Sequence, residues 1–158
     1  MKSKFWIVRM PTYGMIAFVL LNILAMSLYP GGNLNDPNQI GYYFSYNFFS
    51  DLGATVSHSN ESNLISSILF NISLCIVAFT FMMLFYSIKD FFPGFKILST
   101  IATCLGIVGC ISFIGVAFTP SNLYLDSAGN PWLHIIFAHW IFRSLSAVSI
   151  IYSILIIK

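Results

Sequence analysis

The sequence carries very little charge. Of its 158 residues, only 8% are Asp, Glu, Lys or Arg, whereas 58% are hydrophobic. The mean hydropathy is +0.84. Because soluble domains average about 25% charged residues, this chain has too little polar surface to cover a soluble globule. The composition predicts an integral membrane protein built as a single membrane domain over residues 1–158. The net charge is only +2 and the basic residues form no cluster, so nucleic-acid binding has no support.

Recognised catalytic motifs are also absent from the sequence. It contains no His-Glu-x-x-His, no Gly-x-Ser-x-Gly and no phosphate-binding Gly-rich loop. There is no Cys-x-x-Cys either, and Cys75, Cys104 and Cys110 all fall in apolar runs, as expected of small buried hydrophobes. No motif fixes a reaction, and on balance the sequence speaks against an enzyme.

Four apolar runs are long enough to cross a bilayer. They predict an all-α polytopic transmembrane bundle with spans at about 11–29, 64–88, 97–119 and 132–157. The basic start of the chain followed by Ala25-x-Ser27 also fits a cleavable signal peptide, which leaves a second interpretation of the first run. In the third run, Ala102, Gly106 and Cys110 recur every four residues, and such small residues predict close helix packing.

The distribution of basic residues predicts the topology. No Lys or Arg occurs between Arg9 and Lys89 or in the loop 120–131. By the positive-inside rule, both termini are cytoplasmic and the loops 30–63 and 120–131 lie on the outer side. The basic residues that define the cytoplasmic side are Lys2, Lys4, Arg9, Lys89, Lys96 and Lys158.

The first outer loop contains a strongly aromatic stretch from Tyr42 to Phe49, with Gly53 as a helix stop. Aromatic rings are favoured at the membrane interface, so we expect an interfacial or re-entrant helix here. A loop of this length usually has its own structure or a function.

The fourth span contains an arginine. Counted from Trp132 at about 1.5 Å per residue, Arg143 lies about 16 Å into a hydrocarbon layer about 30 Å thick. A charge at this depth costs at least about 2.5 kcal/mol unless it faces protein or water. One side of the helix, here called the polar face, carries most of its polar residues. The polar face consists of His139, Arg143, Ser146, Ser149 and Ser153. We expect the polar face to point into the bundle interior.

Arg143 needs a partner for its charge. Asp51 and Asp126 are the only carboxylates that could plausibly reach Arg143. Asp51 is favoured if the aromatic stretch before it dips into the bilayer. Such a pair could simply hold the bundle together, or it could be functional, as intramembrane ionisable residues often are. A lipid phosphate would also suit the guanidinium.

The histidines raise a metal alternative. His134 and His139 lie about 140° apart on a regular helix and cannot readily bind one ion together. A zinc site formed by His139, His58 and Asp51 would make the chain an intramembrane lipid hydrolase. A transporter or channel is a third class, which four spans could form only as an oligomer.

Two short motifs suggest a family. The segment Asn47-Phe48-Phe49-Ser50-Asp51-Leu52-Gly53, followed by Phe70-Asn71, resembles the N-x-x-S-D-L-G and F-N pattern of the multi-pass membrane family named domain of unknown function 998. More distantly the chain is similar to the DRAM-like membrane proteins. The resemblance implies a helical bundle in which Asn47, Ser50, Asp51, Gly53 and Asn71 are recurring positions, and it implies no established activity. Members of these families generally have five or six spans.

The leading hypothesis is a non-enzymatic membrane protein without a cofactor. It binds a lipid or amphiphile, or serves as a small subunit of a membrane assembly, with itself or with other membrane subunits. Its site would be a buried polar centre around the intramembrane arginine. The residues assigned to that centre are Arg143, His139, Asp51, Ser50, Asn47, Asn71 and Ser146.

Overall fold

Four long helices dominate the described chain. The computed structural model describes Ile7 and residues 9–157, so Lys2, Lys4 and Lys158, used in the topology argument, lie outside the described residues. The helices are α1 (Met10–Ser27), α2 (Leu64–Ile88), α3 (Lys96–Phe118) and α4 (Trp132–Ile157). All four are long and apolar enough to span a membrane. Over residues 9–157 there is no β-strand, only two isolated bridges. The predicted all-α bundle of four spans is confirmed.

Proline and glycine set the two ends of α1. Pro11 lies in the first turn of α1, where its missing N–H costs nothing. After α1, Gly31 and Gly32 adopt φ angles of 149° and 78°, which side chains disfavour. Between α2 and α3 the chain makes two single-turn 3-10 helices, Lys89–Phe91 and Pro93–Phe95. This short connection makes α2 and α3 antiparallel neighbours.

Each helix packs mainly against the next one along the chain. α1 packs on α2, α2 on α3, and α3 on α4, whereas α1 and α4 have no comparable contact with each other. The buried hydrophobic residues form two clusters. One contains Ala25, Tyr29, Leu52, Phe70, Leu74, Val116, Ala117 and Ile141, and the other contains Ala78, Phe85, Ala102, Cys110, Val148, Tyr152 and Leu155. The bundle is therefore open along the line between its first and last helices.

Small residues allow the helices to approach closely. A Cβ on Gly106 would lie 2.5 Å from the ring of Phe85, and one on Gly109 would lie 2.7 Å from Ser144 Oγ. Ala102, Gly106 and Cys110 are all buried, which confirms the predicted packing surface of the third span. Not every thiol is buried, however, because Cys104 is exposed on the outside of α3.

The loop 30–63 between α1 and α2, called the outer loop after its expected side of the membrane, is ordered by turns rather than by the helix expected for its aromatic stretch. That stretch forms turns, and a 3-10 helix of five residues, Phe49–Gly53, follows. Asn122 links this loop to the second one, because its side chain accepts a hydrogen bond from Thr55 N at 3.0 Å and donates one to Thr55 Oγ1 at 2.8 Å. Both loops therefore lie at the same end of the bundle, opposite the turn between α2 and α3.

Candidate functional site

The polar face of α4 lies on the outside of the bundle. His139, Arg143 and Ser146 are exposed, as are Ser149 and Ser153. The buried residues of α4 are Ile141, Ser144, Val148, Tyr152 and Leu155. Val148, nine residues after His139, is about 180° away on the helical wheel. The prediction that the polar face points into the bundle interior is wrong for this chain.

Close packing explains the orientation of α4. Ser144 is 2% exposed and contacts the α3 backbone at Gly109, where a larger side chain would not fit. Farther along, Tyr152 reaches Thr103 of α3, with 3.4 Å between the two hydroxyl oxygens. Side chains of α4 also fit against a second glycine of α3, because a Cβ on Gly115 would collide with the ring of Phe137. The bulky guanidinium of Arg143 has no such complement on α3.

Neither predicted counter-charge reaches Arg143. Asp51 is held within the first outer loop, and Asp126 accepts hydrogen bonds from Ala128 N and Asn130 N within the second. The only pairing of a carboxylate with a basic side chain in the described part of the chain joins Asp51 and His58. The expectation that Asp51 folds towards Arg143 is therefore wrong, and the predicted buried centre does not form.

Asp51 is instead the centre of a polar network in the outer loop. Its side chain is 7% exposed and its Oδ1 lies 3.3 Å from His58 Nε2. Oδ2 accepts hydrogen bonds from Phe48 N at 2.9 Å and from Asn47 Nδ2 at 3.2 Å. The contact with His58 is an ion pair whenever the imidazole is protonated. His58 is one-third exposed, so this network is open to the surface at the imidazole.

Asn47 connects the 3-10 helix to the rest of the loop. Its Nδ2 donates to Gly32 O at 2.7 Å, and its Oδ1 accepts from Gln39 Nε2 at 2.8 Å and from Tyr43 N at 3.1 Å. Asn47 and Asp51 together therefore order the loop. These contacts give both residues a structural role. The hydrogen bond between the two side chains explains why Asn47 and Asp51 are four residues apart.

The same loop is fastened to the start of α2. Asn63 Nδ2 donates to Ala54 O at 2.8 Å, and Ser67 Oγ donates to Gly53 O at 2.8 Å. Asn71 donates to Ser67 Oγ at 3.4 Å, so it supports this junction from one turn below. A Cβ on Gly53 would lie 2.8 Å from the ring of Phe70, which explains why glycine suits this position.

Three polar residues of this network were missed by the sequence reasoning. Asn63 is the N-cap residue of α2, where asparagine is favoured, but its side chain donates to the loop instead of capping the helix. Tyr29 accepts a hydrogen bond from His58 N at 3.4 Å. Gln39 binds Asn47 across a turn. Neither Tyr29 nor Gln39 has a local pattern that would identify it, because the partner of Tyr29 is 29 residues away and Gln39 reaches Asn47 only through a turn.

The tyrosines next to Asp51 are affected by burial and by its charge. Burial raises the pKa of Tyr42 to about 12, and the negative charge of Asp51 adds to this effect. Burial also raises the pKa of Tyr29, although the hydrogen bond from the backbone of His58 opposes it. Both phenols therefore stay neutral at any physiological pH.

Ser50 faces a different feature, an apolar groove of about 460 Å³ beneath the outer loop. The groove opens between the outer loop, α2, α3 and α4. It is lined by Phe48, Phe49, Ser50, Phe70, Leu74, Phe113, Val116, His134, Ala138, Ile141 and Phe142. His134 Nδ1 lies 2.7 Å from Thr119 O, which fixes the ring at the edge of the groove.

The alternative metal site is only partly assembled. Asp51 and His58 are in contact, but His139 is on the exposed polar face of α4 and does not join them. Over residues 9–157, no group of three or more His, Cys, Asp or Glu side chains could hold a metal ion. The zinc site of the hydrolase alternative therefore lacks its third ligand within the described residues.

Comparisons with known proteins do not identify the chain. No protein-family model matches it, and no match was found among curated proteins or solved structures. The resemblance to the family named domain of unknown function 998 stays a prediction that rests on the short motifs given above.

Proposed function

We propose that this chain is a subunit of a membrane assembly and that the polar face of α4 is its docking surface. The observation behind the proposal is the position of Arg143, which is exposed halfway along a membrane-spanning helix. An arginine facing lipid at that depth costs at least about 2.5 kcal/mol. A partner helix covering the polar face would remove that cost.

The neighbours of Arg143 support the proposal. His139 lies one turn towards the outer loops and Ser146 one turn away from them, so three hydrogen-bonding side chains follow one line on the helix. Two large apolar side chains share this side of the helix, Phe142 and Ile150, which are 72% and 61% exposed. Serine and histidine side chains that can hydrogen-bond between helices are typical of helix–helix interfaces in a membrane.

Native mass spectrometry of the protein released gently from its own membrane tests this proposal. We expect the wild-type chain to retain a second protein subunit and the Arg143→Leu variant to lose it while staying folded. Ser121→Ala, in the second outer loop, is the control and should retain the subunit. Unchanged retention by Arg143→Leu would rule the proposal out.

The groove beneath the outer loop supports a second candidate function, binding of one chain of a lipid or other amphiphile. Its lining is almost wholly apolar, and Ser50 and His134 offer polar atoms at its edge. Ala138→Phe would fill the groove and changes no residue of the polar face. We expect it to remove a lipid adduct that Arg143→Leu retains, and a lipid adduct that survives Ala138→Phe would exclude this candidate.

A further inference from the structure

We infer that the partner of the polar face is a transmembrane helix of a different protein, carrying an aspartate or glutamate at the depth of Arg143. This inference rests on the proposed function and adds the chemistry of the partner. It follows from comparing the groups that could neutralise a guanidinium at this position.

A lipid phosphate is too far away. Arg143 is eleven residues after Trp132, whose ring suits the membrane interface, and therefore lies near the bilayer midplane. The phosphates lie about 15 Å or more from the midplane on either side. This is roughly twice the reach of an extended arginine side chain.

A second copy of this chain has no suitable group. The five carboxylates of the sequence are Asp36, Asp51, Glu61, Asp90 and Asp126, and all of them lie in the loops and turns between the helices. A symmetric dimer formed through the polar face would also bring two Arg143 side chains to the same depth. Two like charges in a medium of low dielectric repel each other strongly. The counter-charge must therefore come from another protein.

The side chains around Arg143 suit a carboxylate. A guanidinium can donate two parallel hydrogen bonds to one carboxylate, which is the strongest neutralising contact available to it. His139 and Ser146, one turn away on either side, can donate to the oxygen atoms that remain. In a membrane, such interhelical contacts replace unsatisfied polar groups in hydrocarbon.

The test uses designed helices of known sequence. Synthetic leucine-rich transmembrane peptides of about 20 residues carry Glu, Gln or Leu at the centre, and a fourth peptide carries Glu two turns off centre. Each is mixed with the full-length labelled protein in phosphatidylcholine vesicles, and binding is followed by energy transfer.

We expect the peptide with central Glu to bind about tenfold more tightly than the peptide with central Leu. Moving Glu off centre should lose most of this gain, and Arg143→Leu should abolish it. Arg143→Lys should keep part of the preference for the Glu peptide, because lysine retains the positive charge. Ser153→Ala, at the far end of the polar face, is the matched control.

Equal binding of the central Glu and Leu peptides would overturn the inference, as would a preference that persists in Arg143→Leu. Self-association of the wild-type protein that Arg143→Leu abolishes would also overturn it, in favour of a second copy. The proposed function fails separately, if the wild-type chain retains no protein subunit in native mass spectrometry. If the wild-type chain retains a protein subunit but the Glu peptide binds no better than the Leu peptide, the inference fails and the proposed function stands.

Discussion

Arg143 and Ser144 are consecutive residues of α4 that face opposite environments. Ser144 is 2% exposed and packs on α3 at Gly109, whereas Arg143 is on the outside of the bundle. The packing that buries Ser144 therefore determines where the charge of Arg143 points. Assembly of the bundle therefore leaves this intramembrane guanidinium on the surface of the bundle instead of enclosing it.

Close packing of α1 on α2 depends on Gly14. A Cβ at this position would lie 2.8 Å from Thr80 Cβ, an atom that cannot move without the α2 backbone. We expect Gly14→Ala to lower the free energy of unfolding by about 1–3 kcal/mol, as measured by denaturant titration in detergent. Gly94→Ala is the matched control, because nothing lies within 4 Å of its added Cβ. Equal stability of the two variants would contradict the described packing.

The outer loop depends on the carboxylate of Asp51. In Asp51→Ala, the N–H of Phe48 and the amide of Asn47 lose their acceptor inside a buried network. We expect a loss of about 1–3 kcal/mol in the free energy of unfolding, together with faster proteolysis in residues 30–63. Glu61→Ala removes an exposed carboxylate of the same loop and should change neither measurement. If the two variants behave alike, Asp51 does not order this loop.

Alkaline pH should loosen the same loop through Tyr42. Its pKa is raised from 10.0 to about 12 in the folded chain, so its contribution to stability is complete below pH 10. That contribution is lost as the pH rises from 10 to 12, because the unfolded state ionises first. Ultraviolet absorbance of tyrosinate should show a late-titrating phenol that is absent in Tyr42→Phe. Identical titration curves for the two proteins would contradict this assignment.

Much of the fold could be predicted from the sequence, because span length and hydropathy depend on composition alone. The four helices and the packing surface of α3 follow from apolar runs and from small residues at regular spacing. The direction of the polar face could not be predicted in this way. A helical wheel identifies which residues share a side, but the choice between core and exterior depends on packing against Gly109, which is distant in sequence.

The candidate site was predicted in part. Asn47 and Asp51 contact each other in the loop 30–63, Asn71 supports the junction of that loop with α2, and Ser50 lines the apolar groove. Their partners His58, Gln39 and Asn63 are set by turns whose geometry the sequence does not reveal. Asp51 was expected beside Arg143 because an arginine in a membrane needs an anion. The nearer hydrogen bonds of the outer loop hold Asp51 instead.

The sidedness of the membrane remains a proposal, with the loops 30–63 and 120–131 outside and both termini in the cytoplasm. Leu34 is 69% exposed in the first of these loops, and Gly94 is exposed at the opposite end of the bundle. In intact cells, an impermeant maleimide should label Leu34→Cys but not Gly94→Cys. The native cysteines lie within the helices and should give little background. The reverse labelling pattern would invert the topology.

The most direct test of the central claim is photo-crosslinking in intact native membranes. A photoreactive phenylalanine analogue replaces Phe142, which borders the polar face, and in a control chain it replaces Phe79, which is exposed on α2. We predict a discrete protein adduct from position 142 that is absent from position 79 and disappears when Arg143→Leu is added. No adduct at position 142, or one that survives Arg143→Leu, would contradict the account.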